Sequence, residues 1–207
     1  GSKNGSSSEQ PSSSPVRSAT GAPAAQGVEA QNIPTNPLDK STDQEDSVKM
    51  AERNRCLYDK LSAAYLQDPN ARLEVRKSHI HNWGLFTRSV FAKDEMIVEY
   101  IGEKIRQAVA DRREQRYESE GVGSCYMFRL DKDEIVDATR TGGMARFMNH
   151  CCEPNAYAKI VSTDEKGKNK HIIIFAARDI QDGEEITYDY KFPIEETKLR
   201  CYCGATR

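Results

Sequence analysis

From Leu73 onward the chain is a succession of short apolar or aromatic runs, each ended by a polar break, and this punctuation constrains the fold more than any other feature. Leu73, Val75 and Lys77 alternate with Glu74 and Arg76. Further runs cover Leu85 to Phe91, Met96 to Ile101, Tyr126 to Leu130, Ile135 to Val136, Tyr157 to Val161, His171 to Ala176 and Ile186 to Tyr190. Asn82 to Gly84, Lys93-Asp94, Asp131 to Asp133, Asp164 to Asn169 and Asp182-Gly183 separate them. Runs this short, rich in Ile, Val, Phe and Tyr, suit strands better than helices. One helix interrupts them, from Arg106 to about Ser119, rich in Arg, Glu and Ala. The expected fold class is β-rich, mainly β with few helices, rather than a parallel α/β sheet. No internal repeat is present.

The start of the chain reads differently. Residues 1–48 contain no aromatic side chain, carry five of the eight prolines and include two Ser-Ser-Ser runs. Such a segment buries too little apolar surface to offset its conformational entropy, so it is expected to be disordered, with Gly1-Ser2 the remnant of a tag. Leu57, Leu61 and Tyr65 then recur every fourth residue within Met50 to Leu66, predicting a helix that Asp68-Pro69 stops. The boundaries expected are a tail over 1–48, a flanking helix over 49–71, a main domain over 72–192 and a short terminal segment over 193–207.

Composition excludes several function classes. No apolar stretch approaches the roughly 20 residues that span a bilayer, and no secretory apolar core opens the chain, so no membrane role is expected. With 30 basic against 32 acidic residues the net charge is -2, which gives no basis for direct sequence-specific nucleic-acid binding. Cysteines stand at 56, 125, 151, 152, 201 and 203. Without a secretory signal, clustered cysteines point to a metal or to reduced thiols rather than a disulfide framework. Cys201-Tyr202-Cys203 places two thiolates within reach of one ion, but spacing alone leaves both readings open.

Several segments in order carry a resemblance. Ile80-His81-Asn82-Trp83-Gly84-Leu85-Phe86, Glu99-Tyr100-Ile101-Gly102-Glu103, Ala145 to Asn155 and Glu184 to Tyr190 are similar to the motifs of SET-domain protein lysine methyltransferases, and Cys201-Tyr202-Cys203-Gly204 resembles their post-SET segment. Gly123 to Arg129, Asp137-Ala138-Thr139 and Tyr188 to Pro193 are worded as in the trithorax and COMPASS-type branch, whose members methylate histone H3 lysine 4. The resemblance covers about residues 72–207. It implies a SET-domain fold of small β-sheets, with a C-terminal pseudoknot threading past Asn149-His150, and a partial post-SET segment.

The resemblance also implies S-adenosylmethionine as cofactor, on the opposite face of the domain from the entry of the substrate lysine. It makes Tyr190 the principal catalytic tyrosine, Tyr126 a wall of the cofactor and lysine site, and Tyr188 the residue that controls how many methyl groups fit. His81 and Trp83 match cofactor-contacting positions, Asn149 and His150 match the pair holding the adenine end, and Tyr202 is expected to pack on the cofactor. For zinc it implies Cys152, Cys201 and Cys203, with a fourth cysteine five residues beyond Cys203, past Arg207. Cys151 stands where Ser is usual, and Asn82 where many members have Gly. The reaction suits these residue types: a dry aromatic channel disfavours the ammonium form of lysine, whose free pKa is about 10.4, and ring faces tolerate a cationic sulfonium.

The expected function is therefore a nuclear, chromatin-acting histone-lysine N-methyltransferase, specific for histone H3 lysine 4 and chiefly monomethylating when isolated. Its partners by resemblance are the histone H3 tail and WD-repeat and SPRY-domain subunits, although Val16-Arg17-Ser18 is the only WD-repeat docking candidate and a poor one. The alternatives are a SET methyltransferase acting on a non-histone lysine and a weakly active SET-fold chromatin scaffold; loss of Tyr190 or of Asn149-His150 would favour the scaffold, and all three are present.

Overall fold

A computed structural model describes residues 40–67, 71–191 and 201–206. The tail over 1–39 with Val16-Arg17-Ser18, the Asp68-Pro69 stop, the side chains of Leu57, Leu61 and Tyr65, and residues 192–200 lie outside the described residues. The helix α1 spans Lys40–Gln67 and so begins ten residues before the expected Met50. The added turns are polar and carry no apolar stripe, which is the only signal periodicity can read; once a helix is nucleated, further turns cost little. No helix among the described residues is long and apolar enough to cross a membrane.

Ten strands follow, in three small sheets. The first has the order β1 (Leu73–Lys77), β2 (Trp83–Thr87), β10 (Glu185–Tyr188) and β7 (Asn149–His150). The second has the order β3 (Met96–Glu99), β9 (Lys170–Ala176) and β8 (Ala156–Ser162). The third has β4 (Glu103–Arg106), β6 (Glu134–Asp137) and β5 (Met127–Arg129), with α2 (Gln107–Ser119) packed against it. The β-rich expectation and the helix after Arg106 both hold.

The sheets explain the sequence pattern. Strand β9 is central, so Ile172, Ile173 and Ile174 are all buried and the run reads as continuously apolar instead of alternating. Ile172 and Ile174 join Leu85, Val98, Phe128, Val136, Ile180 and Ile186 in the main core. A second cluster, Ile105, Ala110, Tyr117, Met127 and Ile135, lies under α2. On the far side of the second sheet, α1 is pinned by Asn54, whose Nδ2 donates to the Ser162 carbonyl at 3.0 Å, and by the Arg55 guanidinium on the Thr163 carbonyl at 3.0 Å.

Three segments depart from the sequence expectation. The run Leu85 to Phe91 is a strand only to Thr87, and Phe91 instead bridges to Ile180. The break over Asn82 to Gly84 is a turn at Asn82 alone, because Trp83 and Gly84 belong to β2. The run Ile186 to Tyr190 stops at Tyr188; beyond it Lys191 has a positive φ of 51°. The two-residue strand β7 is not foreshadowed, since Asn149-His150 has no apolar pattern and is fixed by its partner strand.

Candidate functional site

Parallel pairing of β7 with β10 builds the site. Thr187 lies opposite Asn149 and Tyr188 opposite His150, and the Cys151 N–H donates to the Tyr188 carbonyl at 3.2 Å. Residues some forty positions apart thus share one edge. Just past β10, the backbone N–H of Tyr190 donates to His150 Nδ1 at 3.2 Å and its hydroxyl donates to the Met148 carbonyl at 2.7 Å. Both ends of Tyr190 are therefore fixed to the segment containing β7.

Four tyrosines converge there. The rings of Tyr188 and Tyr190 are 4.7 Å apart, Tyr188 stacks on Phe128 at 6.0 Å, and Phe128 meets Tyr100 at 5.3 Å. Tyr126 packs against the main core and edge-on to Phe147 at 6.1 Å. Burial, then the neighbouring Tyr126 and Glu185, hold the Tyr190 hydroxyl well above the ordinary phenol pKa. Burial, then Tyr190, does the same to Tyr100, and burial, then Tyr190 and Tyr100, to Tyr188. All three keep their protons at neutral pH, so the cluster offers neutral hydroxyls and ring faces rather than a phenolate base.

A second network ties the first motif to β7. Asn149 Nδ2 donates to the Trp83 carbonyl at 3.0 Å, the His81 carbonyl at 3.3 Å and Glu185 Oε1 at 2.7 Å, while the Ser78 hydroxyl donates to Glu185 at 2.8 Å. A Cβ on Gly84 would meet the Glu185 carboxyl carbon at 2.9 Å, so this approach requires glycine. Asn82, where many relatives of the motif have Gly, has φ of 38°, a left-handed conformation that Asn tolerates better than most residues, so the turn survives the change. Trp83 and Tyr202 keep 46% and 62% of their surfaces exposed, and the Lys77 ammonium stands over the Trp83 ring at 4.3 Å. Exposed aromatic rings next to neutral, buried phenols are side chains of a kind that suits an adenosine carrying a sulfonium.

The cysteines also converge. Cys152 Sγ lies 3.8 Å from Cys201 Sγ and 3.4 Å from His150 Nε2, and Cys203 Sγ accepts from the Cys152 N–H at 3.5 Å. Two thiolates on tetrahedral zinc with bonds of about 2.3 Å stand about 3.8 Å apart, so the observed separation suits that ion. Backbone N–H donors from Cys152, then Ala205, pull the Cys203 thiol down to about 6, whereas the neighbouring Cys203 and Cys201 push Cys152 up to about 12. The ligand atoms of His150, Cys152 and Cys201 all lie within 4.8 Å of one another, so the imidazole is a further nitrogen donor beside the three cysteines. Cys151 donates its S–H to the Glu153 carbonyl and stays outside that group.

The structure thus gathers Tyr126, Tyr188 and Tyr190 at one cluster, His81, Trp83, Asn149 and His150 along one edge of it, and the Cys201 to Cys203 segment with Tyr202 against Cys152. Sequence reasoning missed Tyr100, Glu185 and Ser78 as members of the site. Tyr100 and Glu185 lie inside quoted motifs, so the motifs themselves were the available signal, whereas Ser78 lies outside any of them.

Comparison with known proteins gives consistent matches. The family model described as SET domain matches residues 82–191. The chain is 51% identical over 150 residues, 72% of its length, to the human histone-lysine N-methyltransferase SETD1B. It is 52% identical over 149 residues, again 72% of its length, to the histone-lysine N-methyltransferase set1 of Dictyostelium discoideum, and 45% identical over 186 residues, 86% of its length, to SETD1B of Xenopus laevis. It spans 8%, 10% and 9% of those three proteins.

Proposed function

Starting from a chain that belongs to the SET-domain family, we propose that it is a protein-lysine methyltransferase that methylates lysine 4 of histone H3, with the tail of that histone as substrate. The observation that carries this reading is the convergence of Tyr100, Tyr126, Tyr188 and Tyr190 on the paired β7 and β10. Its relatives bear the name histone-lysine N-methyltransferase. A nuclear, chromatin-bound location is proposed with this activity, and WD-repeat and SPRY-domain subunits are proposed as its partners.

S-adenosylmethionine, when bound, supplies a methyl group on a cationic sulfur; His81, Trp83, Tyr126, Asn149, His150 and Tyr202 are the residues proposed to hold it. The protein's part is to deliver a neutral lysine amine in line. Buried tyrosines disfavour the ammonium form, so the proton leaves to water before the amine is enclosed. Tyr190 donates its hydroxyl proton to the Met148 carbonyl, so toward a transferring methyl its oxygen acts as an acceptor of weak C–H contacts. Tyr188, whose ring abuts Tyr190, fills the space in which a methylated amine must turn before it reacts again. Cys152, Cys201 and Cys203 are proposed to hold zinc, with the His150 imidazole the nearest nitrogen donor.

Labelled S-adenosylmethionine with histone H3 peptides, alone and with partner subunits, tests the proposal directly. Tyr190→Phe is expected to lower kcat by about a hundredfold or more while cofactor affinity changes little, because the hydroxyl acts at the transferring group; near-native turnover would remove Tyr190 from the role. Tyr188→Phe is expected to shift the product from monomethyl toward di- and trimethyl lysine in a mass-spectrometric time course. An unchanged distribution, or trimethyl product from the unsubstituted chain alone, would take that role from Tyr188.

A further inference from the structure

We infer that Asp137 is a positioning residue that couples the docking of α2 to the backbone at Tyr126; this deepens, and rests on, the reading of Tyr126 as a wall of the methyl-transfer site. Asp137 is 2% exposed and uses its two carboxylate oxygens in two directions. Oδ2 accepts from Arg113 Nη1 at 2.9 Å and from the Tyr117 hydroxyl at 2.9 Å, both on α2. Oδ1 accepts from the Thr139 N–H at 3.0 Å, and Thr139 Oγ1 in turn accepts from the Tyr126 N–H at 3.0 Å. The Ala138 N–H closes the ladder on the Tyr126 carbonyl at 2.7 Å.

A buried carboxylate whose donors are removed is left unsatisfied in a dry site, at far greater cost than an exposed one. Asp137 therefore fixes the helix and the Thr139 loop together or neither. Burial opposes its charge, but Arg113, the Thr139 N–H and Tyr117 outweigh that and hold the carboxyl below its ordinary pKa. The Thr139 side chain links this hub to the Tyr126 backbone, and a shift of a wall residue by about an ångström is enough to cost a large factor in rate.

Two substitutions separate the coupling from plain stability. Thr139→Val keeps shape but deletes the acceptor for Tyr126; Thr139→Ser retains it. With Thr139→Val, amide exchange at Tyr126 measured by NMR should accelerate about tenfold while the amides of α2 keep their native rates. Methyl-transfer kcat should fall about tenfold, and Thr139→Ser should restore both the exchange rate and kcat. Asp137→Asn should accelerate exchange at α2 and at Tyr126 together, and Tyr117→Phe, which removes one donor and spares the carboxylate, should do so more mildly if Asp137→Asn fails to fold. The inference is overturned if loosening α2 through Asp137 or Tyr117 leaves Tyr126 exchange at its native rate, or if Val and Ser at 139 behave alike. Absence of any methyl transfer by the unsubstituted chain would refute the proposed function, while the exchange measurements would still decide the coupling.

Discussion

Around Ile172, Ile174, Val98 and Ile186 the packing is apolar on every side, whereas beneath α2 a small apolar cluster shares its interface with one buried carboxylate. The first region is redundant: each aliphatic side chain contributes about 1.5–3 kcal/mol and many neighbours share the load. The second is concentrated, because the buried contacts of α2 with the rest of the domain centre on Ile105, Ala110, Tyr117, Met127 and Ile135 plus the Asp137 hub. Apolar packing is indifferent to pH and to direction, while a shared carboxylate is sensitive to both. The region that holds the fold together is thus chemically distinct from the region that sets the position of Tyr126.

The contrast breaks most strongly at Ile174. Ile174→Ala removes a fully buried side chain from the central strand and is expected to cost about 2–5 kcal/mol, lowering one cooperative transition for the whole domain in denaturant melts. A loss confined to the second sheet would deny that β9 is the shared centre.

Acid should act in the opposite place. The Asp137 carboxyl has its folded pKa lowered, so its stabilising contribution is present above the ordinary carboxylate value of about 3.9 and is lost as pH falls through the folded value. Asp131, opposed by burial but held by Lys170 and by the Asp133 and Glu134 N–H groups, is drawn down to about 2, so its clasp on β9 persists further into acid. Exchange protection of α2 is therefore expected to fade below about pH 4 before that of β9; simultaneous loss would remove the distinction.

The smallest effect sharpens the comparison within one ion pair. Arg113 also grips Glu103 through both oxygens at 2.7 and 2.8 Å, but that carboxylate is largely solvated. Glu103→Gln is expected to leave α2 exchange nearly native, since water replaces the lost partner. If it loosened α2 as much as Asp137→Asn, the burial of Asp137 would not be the deciding property.

Which parts of this were legible in advance follows from the range of the forces involved. The short runs, the helix after Arg106 and the ordered motifs around His81, Asn149 and Tyr190 are local properties of side-chain period and residue type, and the sequence alone determined them. The length of α1 was not, because its first turns carry no apolar stripe. Strand β7, the placement of Tyr100 and Glu185 at the site, and the approach of His150 to Cys152 were decided only by tertiary structure. Each depends on pairing between segments tens of residues apart, which leaves no period in either segment. Asp137 shows the limit most clearly: the sequence offers it only as the first residue of the Asp137-Ala138-Thr139 motif, and only the fold buries it between Arg113, Tyr117 and Thr139, where a single charge can be shared by a helix and a site.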